Sequence, residues 1–233
     1  MALPKLETPT YSIEVPSLKS EIEFRPFLVK EEKILMIAQE SEDENKILKT
    51  IKDIISACSF EKLDPSECTA SDIEYLFIQL RAKSIGETVT IKIKCSECNE
   101  YTANKIDLEE IKLSDDEEVN NTIEITDSIG IVLKKISMLN AEKISKSDPL
   151  KAFNQLLIYS IESIYDADSV YPASESTEKE LIAFIDSLSH SHLEKIQEYI
   201  QDVKKLQHTC SFKCKSCGHE NKTVLEGIES FFS

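Results

Sequence analysis

The chain opens on strict alternation. In YSIEVPSLKSEIEFRPF (residues 11–27), Tyr11, Ile13 and Val15 alternate with polar residues, and Ile22 and Phe24 do so again after a Pro-Ser-Leu-Lys-Ser interruption. A period of two on both sides of a turn predicts a β-hairpin, which Pro26 then closes. The period changes at once. Residues 28–41 carry Leu28, Ile34, Leu35, Ile37 and Ala38, and residues 43–58 carry Ile47, Leu48, Ile51, Ile54 and Ile55, at the spacing of two amphipathic helices. A third helix is expected over 71–86, with Ser71 as N-cap, Glu74 completing a capping box and Gly86 as its stop.

TVTIKIK (88–94) returns to clear alternation and predicts a strand. Past the acidic run 107–118, residues 121–136 read as a hairpin turning near Asp127–Gly130. Residues 140–165 read as helical, with a start at Asp148-Pro149 and Phe153, Leu156, Leu157, Ile161 and Ile164 as the apolar set. A loop leads to two further helices, over 177–189 and 192–206. No low-complexity linker marks a boundary, so a single α+β domain is expected. Within it, 1–87 forms the N-terminal hairpin and helices, 107–206 a hairpin and mostly helical insertion, and 88–106 with 207–227 the two halves of one further element.

Those halves read alike: KIKCSECNEYTANKI (92–106) and SFKCKSCGHENKTVL (211–225) each run from alternation through Cys-x-x-Cys and a turn residue into a second polar/apolar run. Two residues between cysteines let a tight turn aim both sulfurs at one ion, at about 2.3 Å for zinc. Asn99 and Gly218 suit the left-handed position after each pair. Cys95, Cys98, Cys214 and Cys217 are therefore the expected ligands of one structural Zn²⁺, in a zinc ribbon split by the insertion. Closing so long a loop costs roughly 4 kcal/mol, against roughly 10–16 kcal/mol for structural zinc binding. Free thiols and two redox motifs are the alternatives. A redox pair sits at a helix N-terminus, whereas these pairs lie between strands. Cys210 and His219 are spare potential ligands.

Charge narrows the partners. The net charge is −16, which opposes binding to nucleic acid. Residues 88–106 and 203–224, which contain the two Cys-x-x-Cys pairs, nevertheless sum to about +5, and Lys92, Lys94, Lys213 and Lys215 sit where they can offset a four-thiolate zinc site. Seven cysteines without a recognisable signal peptide argue for metal or free thiols in a reducing cytoplasm, and no apolar run is long enough to span a membrane. The four glycines form no phosphate loop, His190 and His192 do not share a helix face, and DADS (166–169) lacks the rest of a calcium loop. Nothing points to an enzyme or a small-molecule substrate.

Several stretches resemble the baseplate hub assembly proteins of T-even-type contractile-tailed phages: LPKLETPTYSIEVPS, FRPFLVKEEKILMIAQES, DIEYLFIQLRAKSIGE, VYPASESTEKELIAFIDSLSHSHLEKIQEYI and the terminal CKSCGHENKTVLEGIESFF. The resemblance covers most of the chain, with about 107–148 the exception. It implies a non-enzymatic hub component or assembly factor working in the host cytoplasm among other hub and tail proteins, and it transfers no catalytic residue. Within these blocks Arg25, Arg81, Lys83, Phe231 and Phe232 are candidate partner contacts. Arg25 has a second reading as the mate of a neighbouring acid, and the two phenylalanines as packing beside the ribbon. A zinc-ribbon regulator binding nucleic acid or RNA polymerase is the alternative function.

Overall fold

The computed structural model describes residues 7–41, 43–114, 120–202 and 204–227. The opening alternation is a hairpin, β1 (Tyr11–Val15) with β2 (Ser20–Phe24), in a register that sets Ile13 opposite Ile22. Three helices follow, α1 (Val29–Glu40), α2 (Glu44–Cys58) and α3 (Ala70–Ser84). The α3 cap lies two residues earlier than expected. Thr69 is the N-cap and Asp72 its reciprocal partner, because Asp72 is buried and also accepts the Ser17 N–H at 3.1 Å, tying the hairpin turn to the helix. Ser71 is turned to another task, donating to the carbonyl of Lys204.

Helix α1 departs from its pattern. Leu35 and Ala38 are buried, but Val29, Ile34, Met36 and Ile37 are exposed while Glu31 is inside. The cause is Arg25, whose guanidinium meets Glu31 at 2.9 Å while the Leu28 N–H donates to the second Glu31 oxygen at 2.8 Å. The satisfied ion pair thus lets Glu31 join Leu35 and Ala38 on the buried stripe, four and seven residues before them.

The chain divides into two compact units, one made of residues 1–115 with 204–233 and the other of 116–203. In the first, β3 (Thr88–Lys94) pairs with β4 (Tyr101–Asp107), and β10 (Leu206–Lys213) pairs with β11 (Glu220–Glu226) and with the short β5 (Lys112–Leu113). Ile78 and Ala82 of α3 pack with Ile91, Ile93, Ile106, Leu206 and Phe212 in one core cluster.

The second unit holds a four-stranded antiparallel sheet, β6 (Thr122–Glu124), β7 (Gly130–Leu133), β8 (Ile161–Tyr165) and β9 (Val170–Pro172), in chain order. Helices α4 (Met138–Lys143), α5 (Pro149–Ser160), α6 (Glu178–Asp186) and α7 (His190–Gln201) complete it. Ile161–Tyr165 is thus a strand and not the end of a helix, and the insertion is a mixed sheet-and-helix unit. Ile161 and Ile164 satisfy a helical spacing, but Ile131 and Leu133 of β7 offer them strand partners. Leu157, Ile196 and Tyr199 close the core from the helices.

Candidate metal centre

The turns after β3 and β10 have the same construction. In the first, the Cys95 N–H donates to the Glu100 carbonyl at 2.9 Å and the Asn99 N–H to the Cys95 carbonyl at 3.1 Å. In the second, the Cys214 N–H donates to His219 at 2.8 Å and the Gly218 N–H to Cys214 at 3.0 Å. Asn99 at φ +61° and Gly218 at φ +78° take the left-handed position that reverses each chain. Every residue from Thr90 to Ile106 has its counterpart 119 positions later, without a gap.

This geometry turns all four sulfurs to one point. The Sγ atoms of Cys95, Cys98, Cys214 and Cys217 lie within 4.8 Å of one another, with Cys95 to Cys217 at 3.7 Å and Cys98 to Cys214 at 3.6 Å. A tetrahedral ion with bonds of about 2.3 Å separates its sulfurs by about 3.8 Å, while a disulfide requires about 2.05 Å. The arrangement suits a shared ion and not a cross-link.

Electrostatics agree. The N–H groups of Cys98 and Glu97 hydrogen-bond the Cys95 sulfur and pull its pKa down; those of Cys217 and Ser216 bring Cys214 down to about 6. Cys98 moves the other way, up to about 12. The Glu100 N–H favours its thiolate, but loss of water and the neighbouring thiols oppose a further negative charge. Four thiols this close ionise together only around a cation.

The other three cysteines are core residues. Burial pushes Cys58 up to about 11 and Cys68 up to about 12, and it raises Cys210 as well. Cys210 occupies the inward position that Ile91 takes in the matching hairpin, so this spare potential ligand packs in the core. His219 is exposed and lends the site its carbonyl and N–H. Sequence reasoning missed Thr102 and Asn221, two buried polar residues at equivalent inward positions beside the sulfurs. The gapless repeat was the signal that would have found them.

The remaining candidates lie apart from the cluster. Arg25 is drawn inward to Glu31, its side chain 12% exposed, in keeping with the neighbouring-acid reading. Arg81 is half-buried, with its pKa lowered by lost hydration. Lys83 pairs with Glu109 and Glu87 and lies 5.5 Å from the Tyr11 ring centroid. Phe231 and Phe232 lie outside the described residues. Asp166 accepts from the N–H groups of Asp168 and Ser169 and from the Tyr171 hydroxyl, which makes it a turn residue.

Comparison with protein families decides the broader identity. The family model described as T4 bacteriophage base plate protein matches residues 8–233. The chain belongs to that family. As a T4-type baseplate protein it has a structural role in the tail of the virion, among other tail proteins. No curated protein and no solved structure matches it. Among the described residues, no helix is long and apolar enough to cross a membrane.

Proposed function

We propose that this baseplate protein is a non-enzymatic component or assembly factor of the central hub, fastened by one structural zinc and working through protein–protein contacts. The family match over residues 8–233 carries the reading. Cys95, Cys98, Cys214 and Cys217 would hold the ion, which supplies a four-way bond between the middle of the chain and its end and no chemistry on a substrate. The proposal treats the whole chain as one hub module, assembled in the host cytoplasm with other hub and tail proteins. The exposed Val29, Ile34, Met36 and Ile37 on α1 support protein contacts, because a cluster of apolar side chains in water favours an apolar face on another tail protein.

The test is complementation. Infected cells lacking this protein should assemble hubs when supplied with the wild-type chain and fail with the Cys214→Ser variant. Hubs assembled without the protein would remove the hub reading, and hubs assembled with a metal-free variant would remove the staple.

A nucleic-acid reading has one observation in its favour. The outward face of β3–β4 carries Lys92, Lys94 and Lys105 beside Tyr101, which is 65% exposed. The net charge of −16 opposes it. Titration with single-stranded oligonucleotides at low salt is expected to show no binding; salt-sensitive binding would favour this reading instead.

A further inference from the structure

We infer that Asn221, with Thr102 as its weaker counterpart, is a positioning residue of the metal centre, reaching from one hairpin to hold the leading cysteine of the other. The inference rests on reading the four cysteines as a metal site. The inward faces of the two hairpins are apolar at matched positions, Ile91 with Cys210, Ile93 with Phe212 and Ile106 with Leu225. Of the matched inward pairs that carry polar residues, Val89 with His208 and Asn104 with Thr223 are partly exposed, and one pair stands apart. Thr102 and Asn221 are polar, and both are buried.

Asn221 is fully occupied. Its Nδ2 lies 3.4 Å from the Cys95 Sγ and 3.1 Å from the His219 carbonyl, and its Oδ1 accepts from the Ser96 N–H and hydroxyl, each at 2.9 Å. Three of those four bonds go to the opposite knuckle. Thr102 mirrors this across the site, its hydroxyl 3.9 Å from the Cys214 Sγ, a long contact. The backbone N–H groups within a knuckle can only serve that knuckle's own sulfurs. The two side chains do what they cannot, since each makes one half's leading sulfur depend on the folding of the other half. Donation from Asn221 spreads the charge of the Cys95 thiolate, and its grip on Ser96 fixes the turn that aims the sulfur. A buried amide on an apolar face is costly unless satisfied, and here its satisfaction requires both knuckles together.

The test uses the full-length protein, stripped of metal and titrated with Co²⁺ and then Zn²⁺ against a competing chelator. The Asn221→Thr variant copies the matching position of the other hairpin. It should bind each metal about 10–100-fold more weakly. Its thiolate-to-cobalt absorption should also move to longer wavelength, because the sulfur loses a hydrogen-bond donor. Thr102→Val should move both readouts in the same direction by less, and it keeps the inference testable if Asn221→Thr does not fold. Unchanged affinity and unchanged absorption overturn the inference while leaving the zinc reading intact. Lower stability with an unchanged spectrum also overturns it, since that is what a packing role would give. Wild-type protein that binds neither metal sinks the zinc reading first, and this one with it.

Discussion

The two units of the chain reach stability by different routes. All seven cysteines belong to the first unit, which is built from two separated stretches of chain; the second is one continuous stretch with none. Joining residues near 100 to residues near 215 carries a loop-closure cost that a continuous segment escapes. In the first unit four sulfurs converge at the seam, where a bound ion would meet that cost. The second relies on a core of Ile131, Leu133, Leu157, Ile161 and Ile196, and on Lys135. That lysine donates to the carbonyls of Tyr199 and Asp202, pairs with the Asp202 carboxylate at 3.1 Å and lies 4.1 Å from the Tyr199 ring centroid, closing the C-terminal end of α7.

Cys214→Ser strikes this contrast hardest, since on the proposed zinc reading it removes a ligand from a site whose binding energy would be on the order of 10 kcal/mol. Zinc should fall from one per chain to near none. Amide hydrogen exchange should quicken throughout β3, β4, β10 and β11 while β6 to β8 stay protected. Equal loss in both units would erase the distinction. Ile196→Ala is the converse experiment: an expected cost of about 2–5 kcal/mol, confined by hydrogen exchange to the second unit, with zinc content unchanged. Zinc loss there would show the units to be coupled.

Glu31→Gln sharpens the comparison within the first unit, leaving the mostly buried Arg25 without its carboxylate at a cost of about 3 kcal/mol. Its pH dependence has a definite sign. Burial alone would raise the Glu31 pKa, but hydrogen bonds from Arg25, the Leu28 N–H and Lys30 outweigh it and hold the value below 4.5. The stabilisation is therefore present above about pH 4.5 and lost as pH falls through the lower, folded-state value. Denaturant melts between pH 6 and 3 should show that loss in the wild type and less of it in the Glu31→Gln variant.

The smallest effect separates the knuckles. Gly218→Ala at φ +78° should cost about 1–2 kcal/mol. Asn99→Gly at φ +61° should stay within about 0.5 kcal/mol of wild type, because asparagine already tolerates that conformation. Equal effects in thermal melts would mean that the turns are not held alike.

The first hairpin, the first two helices and β3 were legible because each rests on one period in one short window. The start of α3 was off because Thr69-Asp72 and Ser71-Glu74 both fit a capping box, and the choice depends on Asp72 also receiving Ser17 from 55 residues away. β8 was misread for a similar reason. Ile161 and Ile164 suit helix or strand, and only the presence of β7 alongside decides between them. On α1, Ile34 and Ile37 fit the apolar stripe, yet Arg25 brings Glu31 into the interior instead.

What the sequence determined by itself is local: alternation, helical period, turn residues, and a Cys-x-x-Cys pair that can only face one way once a left-handed residue follows it. It also offered candidate ligands, because thiols at that spacing suit a soft ion whatever surrounds them. Only the tertiary structure decided that the two pairs share a centre, that Cys210 is core, and that Asn221 crosses to Cys95. Those are contacts between residues more than 100 positions apart. Their energies depend on distance in space, which no local pattern encodes.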